Sequence, residues 1–548
     1  MNLLNGGIKR SFDYTTLFVK IGNLDTGDEI LNTEVTILLT SDVHGNVFPL
    51  NYGNNAPADV GLGKIASIIR NERAKNVHTI VIDNGDLIQG TPLTYHYANF
   101  LADKKNPMIT ILNELKYDAA VIGNHEFNYG LDILKSAVKE SNFPWLSANI
   151  VDVKTKTPFL GIPYVIKRIN GFKIAILGIT THYIPNWENP QNIRGLQFND
   201  AYDSAKEWVE LIKKEEQPDV LVISYHGGFE RDPETGEPSE VLTRENQGYT
   251  ICKQIDGVDV LLTGHQHREL TGNINGTEII QPSNNGKYVG KITLLLDDKG
   301  EVIEKSSELL SVAEVEADED ILLLVKENEE WTQEWLDTPI GYIDGEMLVT
   351  DPMQIRLKDS ALIEFINKVQ MDAAQVKISN TALFNNESPG FKPNVTMRDI
   401  VSNYIYPNTF KVLALTGKDI RRALEQSAKY FALNDEGEPI VNPSFVYPKP
   451  QHYNYDMWEG IEYTLDLTKP IGQRVVQLDF EGAPIDEEGV YEVVMNNYRA
   501  GGGGDFFMFK NKPVIREIQF DASELIANYI MERKVVPATC NHNWKVIW

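Results

Sequence analysis

From residue 35 onward the chain repeats one unit, in which four to six β-branched or aliphatic residues stop abruptly in a polar cluster. The instances are VTILLTSDVHG, TIVIDNGDL, AAVIGNHEF, KIAILGITTHY, VLVISYHGG and VDVLLTGHQH. Short apolar runs without alternation predict strands buried on both faces of a sheet. Helical patterns lie between several of them: GLGKIASIIRNERAK, LDILKSAVKES and DSAKEWVELIKKEE. Strand, polar cluster and helix in repetition predict an α/β layered domain, whose ligands gather at the carboxyl ends of strands.

The pattern changes after about residue 311. Residues 312–336, VAEVEADEDILLLVKENEEWTQEWL, form an acidic amphipathic segment with Leu324, Trp331 and Trp335 as apolar points. They predict a connecting helix packed on one domain. SALIEFINKVQMDAA predicts a further helix, with Leu362, Ile363, Phe365, Ile366 and Val369 on one side. The remainder of the chain is rich in Tyr, Asn, Pro and Gly, with strand-like pieces IEYTLDL and YEVVMNN, so a second, α+β domain is expected. A chain of 548 residues exceeds a single core. The division expected is an extension over 1–34, an α/β domain over 35–311, a linker helix within 312–344 and a second domain over 345–548.

Composition narrows the partners. A hydrophobic content of 42% and a charged content of 24% describe a globular protein. A formal charge of −27 argues against a nucleic-acid surface, which needs clustered Lys and Arg. It leaves room for an anionic small substrate, because a bound metal reverses the field of an acidic cleft. Cys252 and Cys540, the two thiols, stand far apart in no metal-like spacing, which suits a reducing compartment. With no run of signal-peptide character and no window near the roughly 18 apolar residues of a membrane span, the expectation is a cytoplasmic monomer without membrane contact. A chain trimmed from an exported parent would read the same.

Five of the ten histidines directly follow predicted buried strands: His44, His125, His226, His265 and His267. Asp42, Asp86 and Asn124 stand beside them, also at strand ends. A lone strand-end Asp is usually a turn former and a lone buried His a hydrogen-bonded core residue. Five strand ends that all carry ligand-type side chains instead point to a metal centre. Imidazole with carboxylate favours first-row divalent ions over Ca²⁺ or a thiolate zinc site. Two such ions roughly 3.5–4 Å apart serve phosphate-ester hydrolysis, and Asp86 in NGDLIQG is the natural carboxylate to bridge them.

SDVHG, NGDLIQG, GNHEF, YHGG and TGHQH, in that order over about residues 35–300, resemble the calcineurin-like metallophosphoesterase pattern D-x-H … G-D … G-N-H-E … H … G-H-x-H. The resemblance implies a four-layer α/β metallophosphoesterase sandwich with two divalent metal ions, of the Mn²⁺, Zn²⁺, Co²⁺ or Fe kind. It implies Asp42, His44 and His267 on one ion, Asn124, His226 and His265 on the other, and Asp86 shared. His125 would stay unligated and stabilise the phosphoryl transition state or protonate the leaving oxygen. Glu126 reads as a structural acceptor.

The second half, with ISNTALFN, TMRDIVSNYIYPNT, LTGKDIRRALEQSA, YDMWEGIEYTLDL and VMNNYRAGGGGDFF, is similar to the 5′-nucleotidase C-terminal domain. GNHEFNYG, IYPNT, YDMWEGI and NNYRAGGGGDF are most similar to its 2′,3′-cyclic-nucleotide 2′-phosphodiesterase/3′-nucleotidase branch. That implies a nucleotide substrate, a cyclic phosphate opened to a 3′-nucleotide, and the monoester then cleaved to nucleoside and phosphate. Two aromatic rings, Tyr406 and Tyr498, would clamp the base, unless both are core residues with a satisfied hydroxyl. Asn408 would meet the base edge and Asn380 the ribose side of the cleft.

AGGGGD at 500–505 lacks the Lys and the strand-to-helix setting of a P-loop. It reads as a close backbone approach beside Tyr498 or as a plain loop. Gly504 falls where the 5′-nucleotidases carry a base-facing carboxylate, with Asp505 one residue late. The nearest alternative is a 5′-nucleotidase or UDP-sugar hydrolase, whose second-domain arginines grip the phosphate; the counterpart SNTALFNNESPGF offers none. A non-catalytic binding protein would show eroded ligands, and all seven positions are kept. Asn128 stands where the 5′-nucleotidases usually carry Asp to orient the catalytic His. The amide would leave His125 less basic, and it favours the cyclic-phosphodiesterase branch.

Overall fold

The computed structural model describes residues 32–548 except 161, 187, 241, 405, 407 and 519–521, so the expected N-terminal extension lies almost wholly outside the described residues. Two six-stranded sheets build the first domain. One runs in the order Val302–Ser311, Tyr288–Leu296, Thr33–Thr40, Thr79–Asp83, Ala119–Val121, Trp145–Leu146. The other runs Glu269–Ile274, Thr277–Pro282, Val260–Thr263, Val220–His226, Phe172–Thr180, Tyr164–Ile169. The central strands of each sheet are parallel, which brings their carboxyl ends to one edge.

Each central strand sends alternate side chains to opposite faces, and both faces are apolar. Ile37, Leu39, Ile80, Ile82 and Val121 meet Ile174, Ile176, Val222 and Leu262 between the sheets. On the outer face of the first sheet, Leu38, Val81 and Ala120 pack against Ile65, Ile69, Ile109 and Leu134 of the helices Leu62–Lys75, Pro107–Glu114 and Gly130–Glu140. Leu177, Leu221 and Ile223 of the second sheet do the same against Val209, Ile212 and Ile251 of Ala201–Glu215 and Gly248–Gln254. Helix, sheet, sheet, helix is the four-layer sandwich.

The connecting segment is two helices, Glu319–Leu324 and Lys326–Leu336, that meet at a non-helical Val325 (φ −122°, ψ 16°). The break changes the phase of the apolar face. Ile321, Val325 and Leu336 are buried against the first domain, while Leu324, expected as an apolar point, is 45% exposed. Trp335 stacks on His96, ring centroids 5.2 Å apart.

The second domain is built on a five-stranded sheet in the order Asp456–Glu459, Ile378–Ala382, Val490–Asn496, Phe410–Thr416, Val514–Ile518. Helix Ala361–Ala374, capped by Ser360, buries Leu362, Ile363, Phe365, Ile366 and Val369 in its core. Two arginines tie the domains together. Arg398 donates to the Tyr52 carbonyl at 2.7 Å and pairs with Asp337 of the connecting segment. Arg268 donates to the Tyr447 hydroxyl at 2.8 Å. Among the described residues no helix is long and apolar enough to cross a membrane.

Candidate dinuclear metal site

All seven expected ligands lie at or just beyond strand ends, and the backbone is unusual there. Asp42, His44, Asp86, His265 and His267 have φ between 50° and 66°, a left-handed conformation that L-residues avoid. Strain of this kind persists only where surroundings over-determine it. Here Glu126, fully buried, accepts from the backbone N–H of Asp86 (2.8 Å), Leu87 (2.7 Å), Ile88 (3.4 Å) and Gly123 (2.7 Å). It clamps two strand-end loops together, the structural role expected of it. Across the sheets, the Asp42 carboxylate accepts from the His265 N–H at 3.0 Å.

Two clusters result. Asp42, His44 and His267 bring ligand atoms within 4.8 Å of one another, and so do Asp86, His226 and His265. In the first, His44 Nε2 lies 3.1 Å from His267 Nε2, which is 3.4 Å from Asp42 Oδ1. In the second, Asn124 Oδ1 lies 3.1 Å from His226 Nε2 and 2.9 Å from His265 Nδ1. Asp86 Oδ2 stands between them, 3.2 Å from His226 Nε2 and 4.0 Å from His44 Nε2.

The nitrogens that face inward are fixed by what the far side of each ring does. His44 Nδ1 donates to the Gln89 carbonyl and His226 Nδ1 to the Asn84 carbonyl, while His265 Nε2 donates to Glu245 Oε1 at 2.8 Å. With neutral rings, the atoms converging on the second cluster are therefore all acceptors, and a cation is what converging acceptors fit. Burial pushes His44 down to about 4 and His267 to about 3, so both are neutral at pH 7. Burial also disfavours a charged His226, yet Asp86, then Asp42 and Glu126, pull it up to about 10. Without a cation the neighbouring carboxylates thus hold a proton on His226, which a divalent ion would displace to leave the all-acceptor set.

His125 is not in either cluster. Its backbone N–H donates to Asp86 Oδ1 at 2.8 Å, and its ring sits edge-on to His44 with centroids 5.2 Å apart. Its Nδ1 faces Asn128 Oδ1 at 2.7 Å.

A cavity of about 700 Å³ opens over Asn124, His125 and His265 and runs to the second domain. Tyr406, Asn408 and Tyr498 all line it, but they do different things. Tyr406 stacks on His125, centroids 6.2 Å apart and planes 17° apart. Tyr498 instead pairs edge-on with Tyr453, which sequence reasoning missed. The glycine run is a close approach: a Cβ on Gly503 would lie 2.5 Å from the Tyr498 ring. Asp505, one residue late in sequence, nevertheless reaches the cavity wall. Asn380 is not among the lining residues: it is buried within the sheet, paired with Trp458. Three more residues were unannounced by any motif. Glu245 backs His265, Glu188 backs Asn128, and Lys449 of the second domain lines the cavity and donates to the His265 carbonyl at 3.2 Å.

A four-layer sandwich with paired His/Asp clusters at its strand ends, closed by a second domain, defines a metal-dependent hydrolase of phosphoric esters. Two family models agree, matching calcineurin-like phosphoesterase over residues 35–269 and 5′-nucleotidase, C-terminal domain over residues 339–511, and the chain belongs to this two-domain family. The family implies divalent metal ions. A Staphylococcus aureus protein described as a putative 5′-nucleotidase, of known crystal structure, is 34% identical with a TM-score of 0.87, over 94% of this chain and 100% of that one. The 2′,3′-cyclic-nucleotide 2′-phosphodiesterase/3′-nucleotidase of Haemophilus influenzae is 28% identical over 94% of this chain and 87% of its own length. The trifunctional nucleotide phosphoesterase YfkN of Bacillus subtilis is 28% identical over 93% of this chain, which spans 39% of that longer protein.

Proposed function

We propose that the chain hydrolyses 2′,3′-cyclic nucleotides to 3′-nucleotides, and these to nucleoside and phosphate. Residues 35–311 carry the chemistry, 312–344 connect, and 345–548 bind the nucleoside. Asp42, His44 and His267 would hold one divalent ion and Asn124, His226 and His265 the other, with Asp86 placed between the two groups. One observation carries this reading: a single cavity joins Asn124, His125 and His265 to the tyrosines Tyr406, Tyr453 and Tyr498. Phosphorus sits over the first group and the base against the second. Tyrosine rings accept any base, since each presents a π face. When bound, the ions supply Lewis acidity to the phosphoryl oxygens and to the attacking water.

His125, held at Nδ1 by Asn128, presents Nε2 to the leaving oxygen, which is 2′ in the first round and 3′ in the second. Lys449 brings a cation from the second domain to the metal side of the cavity, where arginines grip phosphate in the 5′-nucleotidases. Asn128 and the name of the Haemophilus relative favour the cyclic substrate. The Staphylococcus likeness favours a 5′-nucleotidase as the second reading. Initial rates with Mn²⁺ on 2′,3′-cAMP, 3′-AMP, 5′-AMP and a UDP-sugar separate the two. A clear preference for 5′-AMP or the UDP-sugar overturns the first.

A further inference from the structure

Where the family resemblance leads one to expect a carboxylate beside the catalytic imidazole, the structure has an amide with a carboxylate behind it. Asn128 Oδ1 is 2.7 Å from His125 Nδ1, and Asn128 Nδ2 donates to Glu188 Oε2 at 2.6 Å. The other Glu188 oxygen accepts from the Asn189 N–H at 2.7 Å and from Asn192 Nδ2 at 2.9 Å. Glu188 follows the short turn Ile184–Asn186 and lies in the cavity wall, sixty residues from its partner.

We propose that Glu188 is a positioning residue for His125 and acts through Asn128, a statement that rests on the reading of His125 as proton donor. A lone amide beside an imidazole can point either end at it. Burial raises the Glu188 pKa, but hydrogen bonds from Asn192, Asn189 and Asn128 oppose that rise, and, with both oxygens accepting, Glu188 draws the amide NH₂ and turns the Asn128 carbonyl to His125. A carbonyl facing Nδ1 demands a hydrogen there, whether the ring is neutral or charged. The transferable proton is then confined to Nε2, on the substrate side, while both Glu188 oxygens face donors. The amide and the carboxylate have in effect exchanged places relative to the 5′-nucleotidase arrangement.

Exchange predicts a reciprocal pattern. Glu188→Gln gives position 188 an NH₂ that opposes a donor on one side or the other, and Asn128 loses its fixed orientation. Asn128→Asp alone sets two carboxylates about 2.6 Å apart. Together the substitutions restore complementarity. The new carboxylate at position 128 accepts from His125 and from the new amide at position 188, whose carbonyl accepts from Asn189 and Asn192.

The test compares the wild type, both single variants, the double variant and His125→Ala. The substrates are 3′-AMP, whose alkoxide must be protonated as it leaves, and 4-nitrophenyl phosphate, whose phenolate need not be. Expected for each single variant is a kcat on 3′-AMP about 10–100-fold lower with KM unchanged. On 4-nitrophenyl phosphate they stay near wild type, and the double variant returns to within about threefold on 3′-AMP. A Glu188→Gln loss equal on both substrates, or losses that multiply in the double variant, overturns the proposal even if His125→Ala is selective for 3′-AMP. If His125→Ala is equally slow on both, the reading of His125 falls and the proposal with it. A second measurement needs no turnover. In metal-free protein labelled with ¹⁵N-histidine, the His125 resonance reports hydrogen on Nδ1, shifts in Glu188→Gln and recovers in the double variant. An unshifted resonance in Glu188→Gln overturns the proposal.

Discussion

Gly123 sets the spacing between the loops that carry Asp86 and Asn124, and a single methyl group tests that spacing. Its φ lies outside the left-handed region, so alanine fits the backbone and only space opposes it. A Cβ there would stand 2.4 Å from Asp86 Oδ1, 2.5 Å from Asp86 N and 2.8 Å from Glu126 Oε2, where ordinary contact begins at 3.4 Å. The Asp86 loop must therefore retreat by about 1 Å, and it cannot do so by rotating a side chain, because its own backbone is among the obstacles. Retreat also pulls Asp86 from the Glu126 clamp at 2.8 Å and from the His125 N–H at 2.8 Å. A displacement of that size among reacting groups lowers kcat about 100-fold, and overpacking lowers stability by about 1–3 kcal/mol. The assay is kcat at saturating Mn²⁺, with bound metal counted by elemental analysis and stability measured by urea unfolding. Gly171→Ala is the control, since it has a φ of 92° and nothing within 4 Å of a new Cβ. It should lose about 1–2 kcal/mol of stability to strain and no activity. Gly123→Ala with wild-type kcat and two ions per chain would refute the reasoning.

Other consequences can be checked alongside it. Asp86→Asn removes the carboxylate between the two clusters and should cut kcat about 10²–10³-fold with the circular dichroism unchanged; near-wild-type turnover would sink the two-ion reading. Tyr498→Ala should raise KM for a nucleotide about 5- to 150-fold, the equivalent of 1–3 kcal/mol of stacking, and leave glycerol 2-phosphate unaffected; equal effects on both make Tyr498 structural. In the second domain burial, then the charge of Asp359, lift Glu459 from 4.5 to about 7 against a hydrogen bond from Asn541. The folded state then holds a proton that the unfolded state has lost, so stability falls as pH climbs from 4.5 to 7, by about 3 kcal/mol. Glu459→Gln should flatten that slope in urea titrations at pH 5 and 7.5, and a slope as steep as wild type contradicts the assignment. Chelation should speed hydrogen exchange at residues 42–45, 84–88 and 264–268 before it speeds exchange in the sheets; uniform acceleration would show that the loops need no cation.

What the sequence made legible was local. Each ligand sits within four residues of the strand that presents it, so Asp42 after Thr33–Thr40 and His265 after Val260–Thr263 are readable as a run and its polar stop. The supporting groups are not local. Glu188 reaches Asn128 over sixty positions and Glu245 reaches His265 over twenty, from loops whose composition marks no chemistry. Asn380 stands apart from the cavity lining for another reason. It belongs to the right motif, but which face a strand residue takes depends on register, and register is fixed by pairing with Asp456–Glu459 and Val490–Asn496 rather than by the motif itself. Leu324 closes the short helix Glu319–Leu324 on its exposed side, and the buried positions of the segment are Ile321, Val325 and Leu336 instead.

The left-handed backbone at five of the seven expected ligands was equally invisible, and it explains why the loops need so much support. Each such residue costs about 1–2 kcal/mol, and the clusters add buried carboxylates and inward-facing lone pairs. Nothing in that arrangement favours folding by itself. What offsets it is shared between loops: Glu126 gathers four N–H groups from two strand ends, and Asp42 accepts from His265 in the other sheet. The hydrogen bonds that hold the strained loops are therefore the same ones that aim the ligands. Glycines occupy the crossing points for that reason, since a Cβ on Gly264 would lie 2.2 Å from Ser41 Oγ and 2.6 Å from Asp42 Oδ2. In GNHE and TGHQH the glycine is thus as much part of the site as the histidine beside it: it brings two strand ends close enough for Asp86 to stand between both clusters.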